Sequence, residues 1–291
     1  MPPLHIFYAL LVTILWGGNF VAAKISLEHF PPVFLIALRF ALTAAILVPF
    51  VTRPTRDQMR SIAVLSVLNS LHFSLPYIAL ANGLSIASTA ITTQLGVPFS
   101  CVIGALFLND KLGIWRTSGL IIAFSGMLIV FGAPEIESHK LPWLCALGAA
   151  FFWGIANIFT KQVKTSSMMQ LLAWMSLLTA PQLLLVAFFA EPEALATLSG
   201  VPLDAALGLA YSIICSTIIA YGLWNYLLRT HPVTHVTPYS LLTPILGAIF
   251  GSIFFGETLS MEMFIGGAIT IAGVAIIVIR RPKLAMLDEP V

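Results

Sequence analysis

Long apolar runs recur along the whole chain and are separated by short polar segments. Ten of them have about 20 residues each, which is enough to cross the ~30 Å hydrocarbon core of a bilayer as a helix. They lack the period-two alternation of membrane-spanning strands. The pattern therefore predicts ten transmembrane helices, over residues 4–23, 32–52, 61–80, 84–108, 113–132, 142–161, 168–190, 203–227, 235–256 and 260–280.

The composition favours an all-α polytopic membrane protein. Of 291 residues, 59% are hydrophobic and 9% are charged, whereas soluble chains carry about 25% charged residues. The net charge of +2 does not indicate a nucleic-acid partner, so the expected partners are the lipid bilayer and a small molecule. The N-terminus lacks the basic start of a cleavable signal peptide, and we expect the first run to be retained. The longest polar connectors, 132–140 and 190–200, are too short to be domains, so any function lies among the helices.

Basic residues favour one side of the predicted helices. If the N-terminus is inside, only Lys24 and Lys140 fall outside, which agrees with the positive-inside rule. The bias predicts a multi-pass protein of the cell (inner) membrane with both termini in the cytoplasm. Arg39 remains within the second run. The basic residues predicted on the inner side are Arg53, Arg56, Arg60, Lys111, Arg116, Lys161, Lys164, Arg229, Arg280, Arg281 and Lys283.

Short motifs of the first half return in the second half. The segment WGGNFVAAK, from Trp16, returns as WGIANIFTK, from Trp153, and its Trp, Gly and Lys keep one offset of 137 residues (from 16 to 153). This indicates a duplicated five-helix unit over 1–134 and 135–283, followed by a cytoplasmic tail over 284–291. Because five is odd, the second copy would enter the membrane from the opposite side, giving the inverted repeats of many secondary transporters. Further matched pairs are Pro98 with Pro244, Asp110 with Glu257, Gly119 with Gly266 and Gly126 with Gly273.

These motifs and the count of ten helices resemble the drug/metabolite transporter superfamily, in particular its ten-helix members built from two EamA-type units. The resemblance implies a single-chain carrier with a central cavity lined mainly by helices 1, 3, 4, 6, 8 and 9. It also implies export of amino acids and related metabolites, and the chain looks most similar to the branch that exports aromatic amino acids. One departure from symmetry is Asp110, where the second half has Glu257.

Polar and aromatic residues inside the predicted helices are the candidates for binding a substrate. Asn19 and Asn157 hold related positions in the two copies, and each could contact a substrate or instead hydrogen-bond a neighbouring helix. Aromatic walls with a few amides suit a substrate with an apolar body and polar ends. Tyr and Trp side chains near helix ends could belong to the interfacial aromatic belt. The predicted substrate-binding residues are Trp16, Asn19, His72, Tyr77, Asn82, Gln94, Trp153, Asn157, Tyr221, Asn225 and Tyr239.

Other residues have a structural interpretation beside a functional one. Pro98 and Pro244 predict matching interruptions of two helices, which are either hinges or static kinks. The glycines spaced by seven residues predict close packing, against the matching helix of the other half or another chain. Lys24 and Lys161 are expected to end their helices at the membrane interface. Arg39 could bind a substrate carboxylate or act as a structural clamp, and we slightly favour the clamp.

The sequence carries no pattern that indicates a cofactor, a metal or an enzyme. The three cysteines lie singly in apolar runs, and the pair His231 and His235 is interrupted by Pro232. No Asp or Glu falls within the core of a predicted span, which favours facilitated transport over proton coupling. The leading hypothesis is a secondary transporter that exports small organic metabolites by alternating access, and the expected substrates are amino acids with aromatic or other apolar side chains. The alternatives are an intramembrane enzyme and a lipid flippase, and the chain is expected to be a monomer or a homodimer.

Overall fold

The computed structural model describes residues 1–107, 113–163, 167–231 and 233–279, and every regular element in these ranges is helical. Ten of the helices are long and apolar enough to span a membrane, which confirms the predicted number and order. We number them α1 to α10 along the chain. Their bounds are Pro3–Leu27, Pro32–Phe50, Arg56–Ala81, Ile86–Phe107, Ile114–Phe131, Lys140–Thr160, Met168–Ala190, Leu203–Leu228, Thr237–Phe255 and Met261–Ile279.

Some residues used in the predictions lie outside the described part of the chain. They include Asp110 of the predicted repeat, the tail over 284–291 and five of the basic residues that set the orientation. The side chains of Lys161 and Arg229 are also outside it. The five basic residues are Lys111, Lys164, Arg280, Arg281 and Lys283.

The third helix begins at Arg56, earlier than the apolar pattern predicts, because a polar capping box starts it. Thr55 Oγ1 accepts from the Gln58 N–H at 3.4 Å, and Gln58 Oε1 accepts from the Thr55 N–H at 2.8 Å. Two of the N–H groups that a helix start leaves free are thereby satisfied. Capping residues, rather than hydropathy, set this boundary.

The fourth and ninth helices are both interrupted just before their prolines. In α4, an eight-residue segment Ile86–Thr93 ends at a turn, and a second segment Gly96–Phe107 begins. In α9, a 3₁₀ segment Thr237–Leu241 precedes the α segment Leu242–Phe255. Pro98 and Pro244 are each the third residue of the segment that follows, where the missing proline N–H costs no internal helix bond. The paired interruption is present, and a hinge role for the two prolines remains a prediction.

The glycines of α5 and α10 pack these two helices against each other. A Cβ atom at Gly126 would lie 2.7 Å from the Gly266 carbonyl oxygen, and one at Gly273 would lie 2.7 Å from the Gly119 carbonyl oxygen. Only residues without a side chain allow the backbones to approach this closely. The predicted glycine packing is confirmed, and the partner is the matching helix of the other half.

The remaining contacts follow one pattern in both halves. The helix pair α2 and α7 packs together, as α5 and α10 do. The first helix packs on α8 and α9, and the sixth helix packs on α3 and α4. Each helix of one half thus makes the contacts that its counterpart five helices along makes in the other half: α1 corresponds to α6, and its partners α8 and α9 correspond to α3 and α4. This pattern is what an exchange of two equivalent halves produces, and it leaves a space between α1 and α6 at the centre.

Candidate functional site

A cavity of about 470 Å³ lies at the centre of the helices. Its volume falls within the range of small-molecule sites, about 300–1,000 Å³. Residues of α1–α4 and α6–α9 line it, whereas no described residue of α5 or α10 does. The predicted lining by helices 1, 3, 4, 6, 8 and 9 therefore extends to α2 and α7. Both halves of the chain supply walls of one cavity.

Most predicted substrate-binding residues line this cavity, and three do not. Asn82 is exposed at the end of α3, where its amide donates to the Ile78 carbonyl oxygen at 2.8 Å. Tyr239 packs against an apolar cluster of Ala9, Leu227 and Val236 and is not part of the cavity lining. Tyr77 is buried behind the cavity wall and bonds residues that line it. The predicted residues that line the cavity are Trp16, Asn19, His72, Gln94, Trp153, Asn157, Tyr221 and Asn225.

On the α1 side, aromatic rings and an amide form the wall. The ring of Trp16 lies 5.4 Å from the ring of Tyr221 and 5.1 Å from that of Trp224, measured between centroids. The Asn19 amide nitrogen donates to the Tyr77 hydroxyl at 3.5 Å. Trp16 Nε1 and Asn19 Oδ1 are buried and have no hydrogen-bond partner within the described part of the chain. This wall thus presents one donor and one acceptor that the protein leaves unused.

Arg39 enters the same wall from α2. Its Nε and Nη2 atoms donate to Thr217 Oγ1 at 3.0 and 2.7 Å, and Nη1 donates to the Tyr77 hydroxyl at 3.0 Å. The guanidinium carbon lies 5.4 Å from the centre of the Phe73 ring. Thr217 belongs to a π-helical stretch, Ser212–Ile219, within α8. Such irregular turns are frequent at functional sites, and here the turn holds the hydroxyl that fixes the guanidinium.

On the α6 side, the polar groups of the equivalent wall are bonded to neighbouring helices. The Asn157 amide nitrogen donates to Ser100 Oγ at 3.2 Å, and Ser100 Oγ donates to the Gly154 carbonyl oxygen at 3.2 Å. His72 Nδ1 lies 3.0 Å from the Ala149 carbonyl oxygen, so this nitrogen carries the proton. Gln94, at the interruption of α4, donates from Nε2 to the Ser240 carbonyl oxygen at 3.3 Å.

Lys24 lies at the end of α1 and also forms an ion pair that the sequence did not predict. Its Nζ atom lies 2.7 Å from Glu257 Oε1. The same carboxylate accepts from the Ile86 N–H at 3.0 Å and the Ala87 N–H at 3.4 Å, which are at the start of α4. A carboxylate at a helix N-terminus is stabilised by the helix dipole as well as by its hydrogen bonds. Lys24 lies in the last turn of α1, as expected, and the ion pair was missed because its two members are distant in sequence.

A second carboxylate caps another helix start without a lysine partner among the described residues. Glu191, which follows α7, accepts from the N–H groups of Val33 and Phe34 at 2.9 Å each. Each acid thus follows one helix and caps the start of the equivalent helix in the other half. Glu191 follows α7 and caps α2, and Glu257 follows α9 and caps α4. Sequence reasoning missed both caps, because neither has a local signature.

The histidines singled out in the sequence lie near the N-terminus. His231 Nε2 forms a hydrogen bond with His5 Nδ1, so one of these two nitrogens carries a proton and donates it while the other accepts. Loss of hydration, and then the positive charges of His5, the N-terminal amine and His235, lower the pKa of His231. No group of three metal-binding side chains occurs in the described ranges.

The fold and the cavity define a class: a polytopic helical membrane protein with a small-molecule cavity shared by its two halves, as in membrane transporters. The chain belongs to the EamA-like transporter family, which matches residues 3–132 and again residues 141–279. The resemblance inferred from the sequence motifs is thereby confirmed, and membership indicates a transporter rather than an enzyme.

Individual relatives extend over nearly the whole chain. A protein of Salmonella typhimurium (strain LT2) described as "Probable amino-acid metabolite efflux pump" is 30% identical and the match covers 93% of both chains. An Escherichia coli (strain K12) protein of the same description is 28% identical over 92% of both. The "Uncharacterized transporter YoaV" of Bacillus subtilis (strain 168) is 27% identical over 90% of this chain and 92% of its own. A solved structure with 19% identity shares the fold, with a TM-score of 0.60 over 94% of this chain and 95% of its own.

Proposed function

We propose that this protein is a secondary transporter that exports amino acids with aromatic or other apolar side chains. The observation that carries the proposal is the composition of the central cavity. Rings of Trp16, Phe20, Phe40 and Trp224 form apolar walls, and five side-chain amides interrupt them. Such a lining suits a solute with an apolar body and a polar end. The names of the bacterial relatives support amino-acid metabolites as the substrate class. The five amides are those of Asn19, Asn69, Gln94, Asn157 and Asn225.

Transport would proceed by alternating access between the two halves. The exchange of helix contacts between the halves supports an inverted repeat, in which opening to one side mirrors opening to the other. The ion pair of Lys24 and Glu257 joins the end of α1 to the start of α4 and the end of α9. By the positive-inside orientation it would face outward. We place the protein in the cell (inner) membrane with both termini in the cytoplasm.

The transport mode we propose is facilitated, with the solute moving down its own gradient. Of the described residues that line the cavity, none is an Asp or a Glu. Proton-coupled carriers commonly place such a carboxylate at membrane depth. Counterflow of solute in liposomes would then be unaffected by an imposed pH gradient, and a reproducible response to that gradient would contradict this mode.

Reconstitution into proteoliposomes tests the proposed function. The expected result is counterflow of L-phenylalanine and other apolar amino acids, with little transport of acidic or basic ones. Asn19→Ala and Asn157→Ala should each lower transport about tenfold, the effect of one lost hydrogen bond of ~1.4 kcal/mol.

Asn82→Ala is the matched control, because this Asn is exposed and bonds only its own helix among the described residues. It should transport like the wild type. Wild-type liposomes that move no amino acid would overturn the function. Normal transport by both cavity variants would overturn the assignment of these two amides.

A further inference from the structure

The charge of Arg39 is not paired with an anion in the described part of the chain. Arg39 is the one charged side chain among the described residues that line the cavity, and 2% of the residue is exposed. The ion pairs in the described ranges are Lys24 with Glu257 and Arg60 with Asp57, so Arg39 has no described carboxylate partner. Buried cations are normally paired, because burial removes the water that stabilises the charge.

Neutral hydroxyl groups hold the guanidinium in place without balancing its charge. Three of its five N–H groups are used, two on Thr217 Oγ1 and one on the Tyr77 hydroxyl. One N–H group on each terminal nitrogen therefore remains. Thr217 Oγ1 donates its own proton to the Ser212 carbonyl oxygen at 2.7 Å, which keeps it an acceptor toward Arg39. A fixed guanidinium with two remaining N–H groups matches the two oxygens of a carboxylate.

Other polar atoms of the same cavity wall also lack partners. Trp16 Nε1, Asn19 Oδ1 and Thr243 Oγ1 are buried and unbonded within the described chain, and all three residues line the cavity. Asn19 is connected to Arg39 through the Tyr77 hydroxyl, which accepts from both side chains. Buried polar groups are rarely left without partners. Unbonded buried atoms also occur away from the cavity, for example at Thr43 and Trp143. Within the cavity, a structural clamp accounts for the bonds that Arg39 makes, and a bound polar ligand would in addition give these three atoms partners.

We propose that Arg39 binds the carboxylate of the transported solute and makes that carboxylate the main determinant of specificity. This inference rests on the proposed transport function and narrows its substrate class to monocarboxylates with an apolar body. Trp16 Nε1 is a further donor for a carboxylate oxygen. Asn19 Oδ1 would accept from an ammonium or other donor on the solute, and this contact contributes less because no charge opposes the ammonium in the described lining.

The same electrostatics exclude two neighbouring classes of solute. An amine without a carboxylate would add a second cation beside Arg39, and like charges in a buried space repel strongly. A phosphate dianion would need more positive charge than the one guanidinium of the described lining supplies. One carboxylate balances the guanidinium, and in an amino acid the ammonium group is then left to the neutral acceptor Asn19 Oδ1.

Competition against wild-type counterflow of L-phenylalanine tests the proposal without a mutation. The three probes share one ring: 3-phenylpropionate lacks the ammonium, phenethylamine lacks the carboxylate, and phenyl phosphate carries the dianion. We expect 3-phenylpropionate to compete at least about tenfold better than phenethylamine, since of these two only 3-phenylpropionate can form a charge-assisted pair with Arg39. Equal or better competition by phenethylamine or phenyl phosphate would overturn the proposal.

The same ranking can be read from thermal stabilisation of the purified protein by each probe. That measurement separates the two claims. If no amino acid is transported but 3-phenylpropionate stabilises the protein more than phenethylamine does, the export function fails and carboxylate binding by this cavity stands. If L-phenylalanine is transported and the probes rank equally, the function stands and the role of Arg39 fails.

Variants locate the preference on Arg39. Arg39→Gln should abolish the difference between 3-phenylpropionate and phenethylamine, and Arg39→Lys should restore part of it, because a lysine keeps the charge without the planar fork. Arg60→Gln removes an exposed arginine away from the cavity and should leave the ranking unchanged.

Thr217→Val provides a second variant if Arg39→Gln does not fold. It leaves the charge but removes the hydroxyl that positions it, so the carboxylate preference should fall while the protein remains folded by size-exclusion chromatography. An unchanged ranking in a folded Arg39→Gln or Thr217→Val protein would show a purely structural arginine and overturn the proposal.

Discussion

The two halves of the chain build equivalent helices but give the cavity different chemistry. The sequence LTA of α2, residues 42–44, returns in α7 at 178–180. At this offset of 136 residues (from 42 to 178), Arg39 corresponds to Met175, and both line the cavity. One half thus places a guanidinium where the other half places a thioether.

The hydrogen bonds of the two walls differ in the same sense. Asn19 of α1 is linked through Tyr77 of α3 to Arg39 of α2, which reaches across to α8, so this chain of hydrogen bonds connects four helices. Asn157 donates to Ser100, which bonds the backbone of α6 itself. The helix contacts of the two halves correspond, whereas the charged side chain of the described cavity lining, Arg39, lies on one side. A solute with a charged end and an apolar body would be oriented by this difference.

The contact where the halves are most alike, between α5 and α10, should be the most sensitive to substitution. In Gly273→Ala the new Cβ atom would lie 2.7 Å from the Gly119 carbonyl oxygen and 2.8 Å from the Ala123 Cα atom. Backbone cannot move aside as a side chain can, so we expect a loss of about 2 kcal/mol or more. The measurement is the apparent melting temperature in detergent.

Gly222→Ala is the control for that substitution. Nothing lies within 4 Å of a Cβ atom at Gly222, and alanine is about 1 kcal/mol better than glycine inside a helix. This variant should melt at the wild-type temperature or slightly above it. Similar losses from both substitutions would mean that close helix packing is not what Gly273 provides.

The carboxylate caps permit a second comparison with a smaller expected effect. Glu257→Gln and Glu191→Gln both keep an oxygen for the capped N–H groups, but only Glu257 has a lysine partner among the described residues. Glu257→Gln should lower stability by about 1–3 kcal/mol, because a partly buried Lys24 ammonium loses its anion. Glu191→Gln should cost less than half as much.

A double-mutant cycle with Lys24→Met assigns the difference to the ion pair. The loss caused by Glu257→Gln should shrink when Lys24 is already absent, giving a coupling energy of about 1 kcal/mol or more. Purely additive losses would show that Glu257 acts as a cap alone, like Glu191.

The sequence predicted the transmembrane helices well and the polar contacts between them poorly. The two outcomes have different physical causes. The ten spans follow from the thickness of a bilayer, which imposes one length on every apolar helix. The glycine contact of α5 and α10 was predictable because its residues recur at regular spacing. The pair of Lys24 and Glu257 was missed because 233 positions separate its members. The π-helical turn that brings Thr217 to Arg39 leaves no pattern in hydropathy, and neither does the lining by α2 and α7.

The smallest effect is expected at Met175, and it tests whether the chemistry of the halves is truly unequal. Met175→Leu conserves volume and apolar character, and such substitutions in a protein core usually cost less than about 1.5 kcal/mol of stability. Transport of L-phenylalanine should stay within about twofold of the wild type, because an apolar wall needs shape rather than one particular group. The competition ranking of 3-phenylpropionate over phenethylamine should not change at all, since Arg39 remains. A loss of carboxylate preference in Met175→Leu would mean that both halves contact the charged end of the solute, and the division of the cavity into a polar and an apolar end would then be wrong.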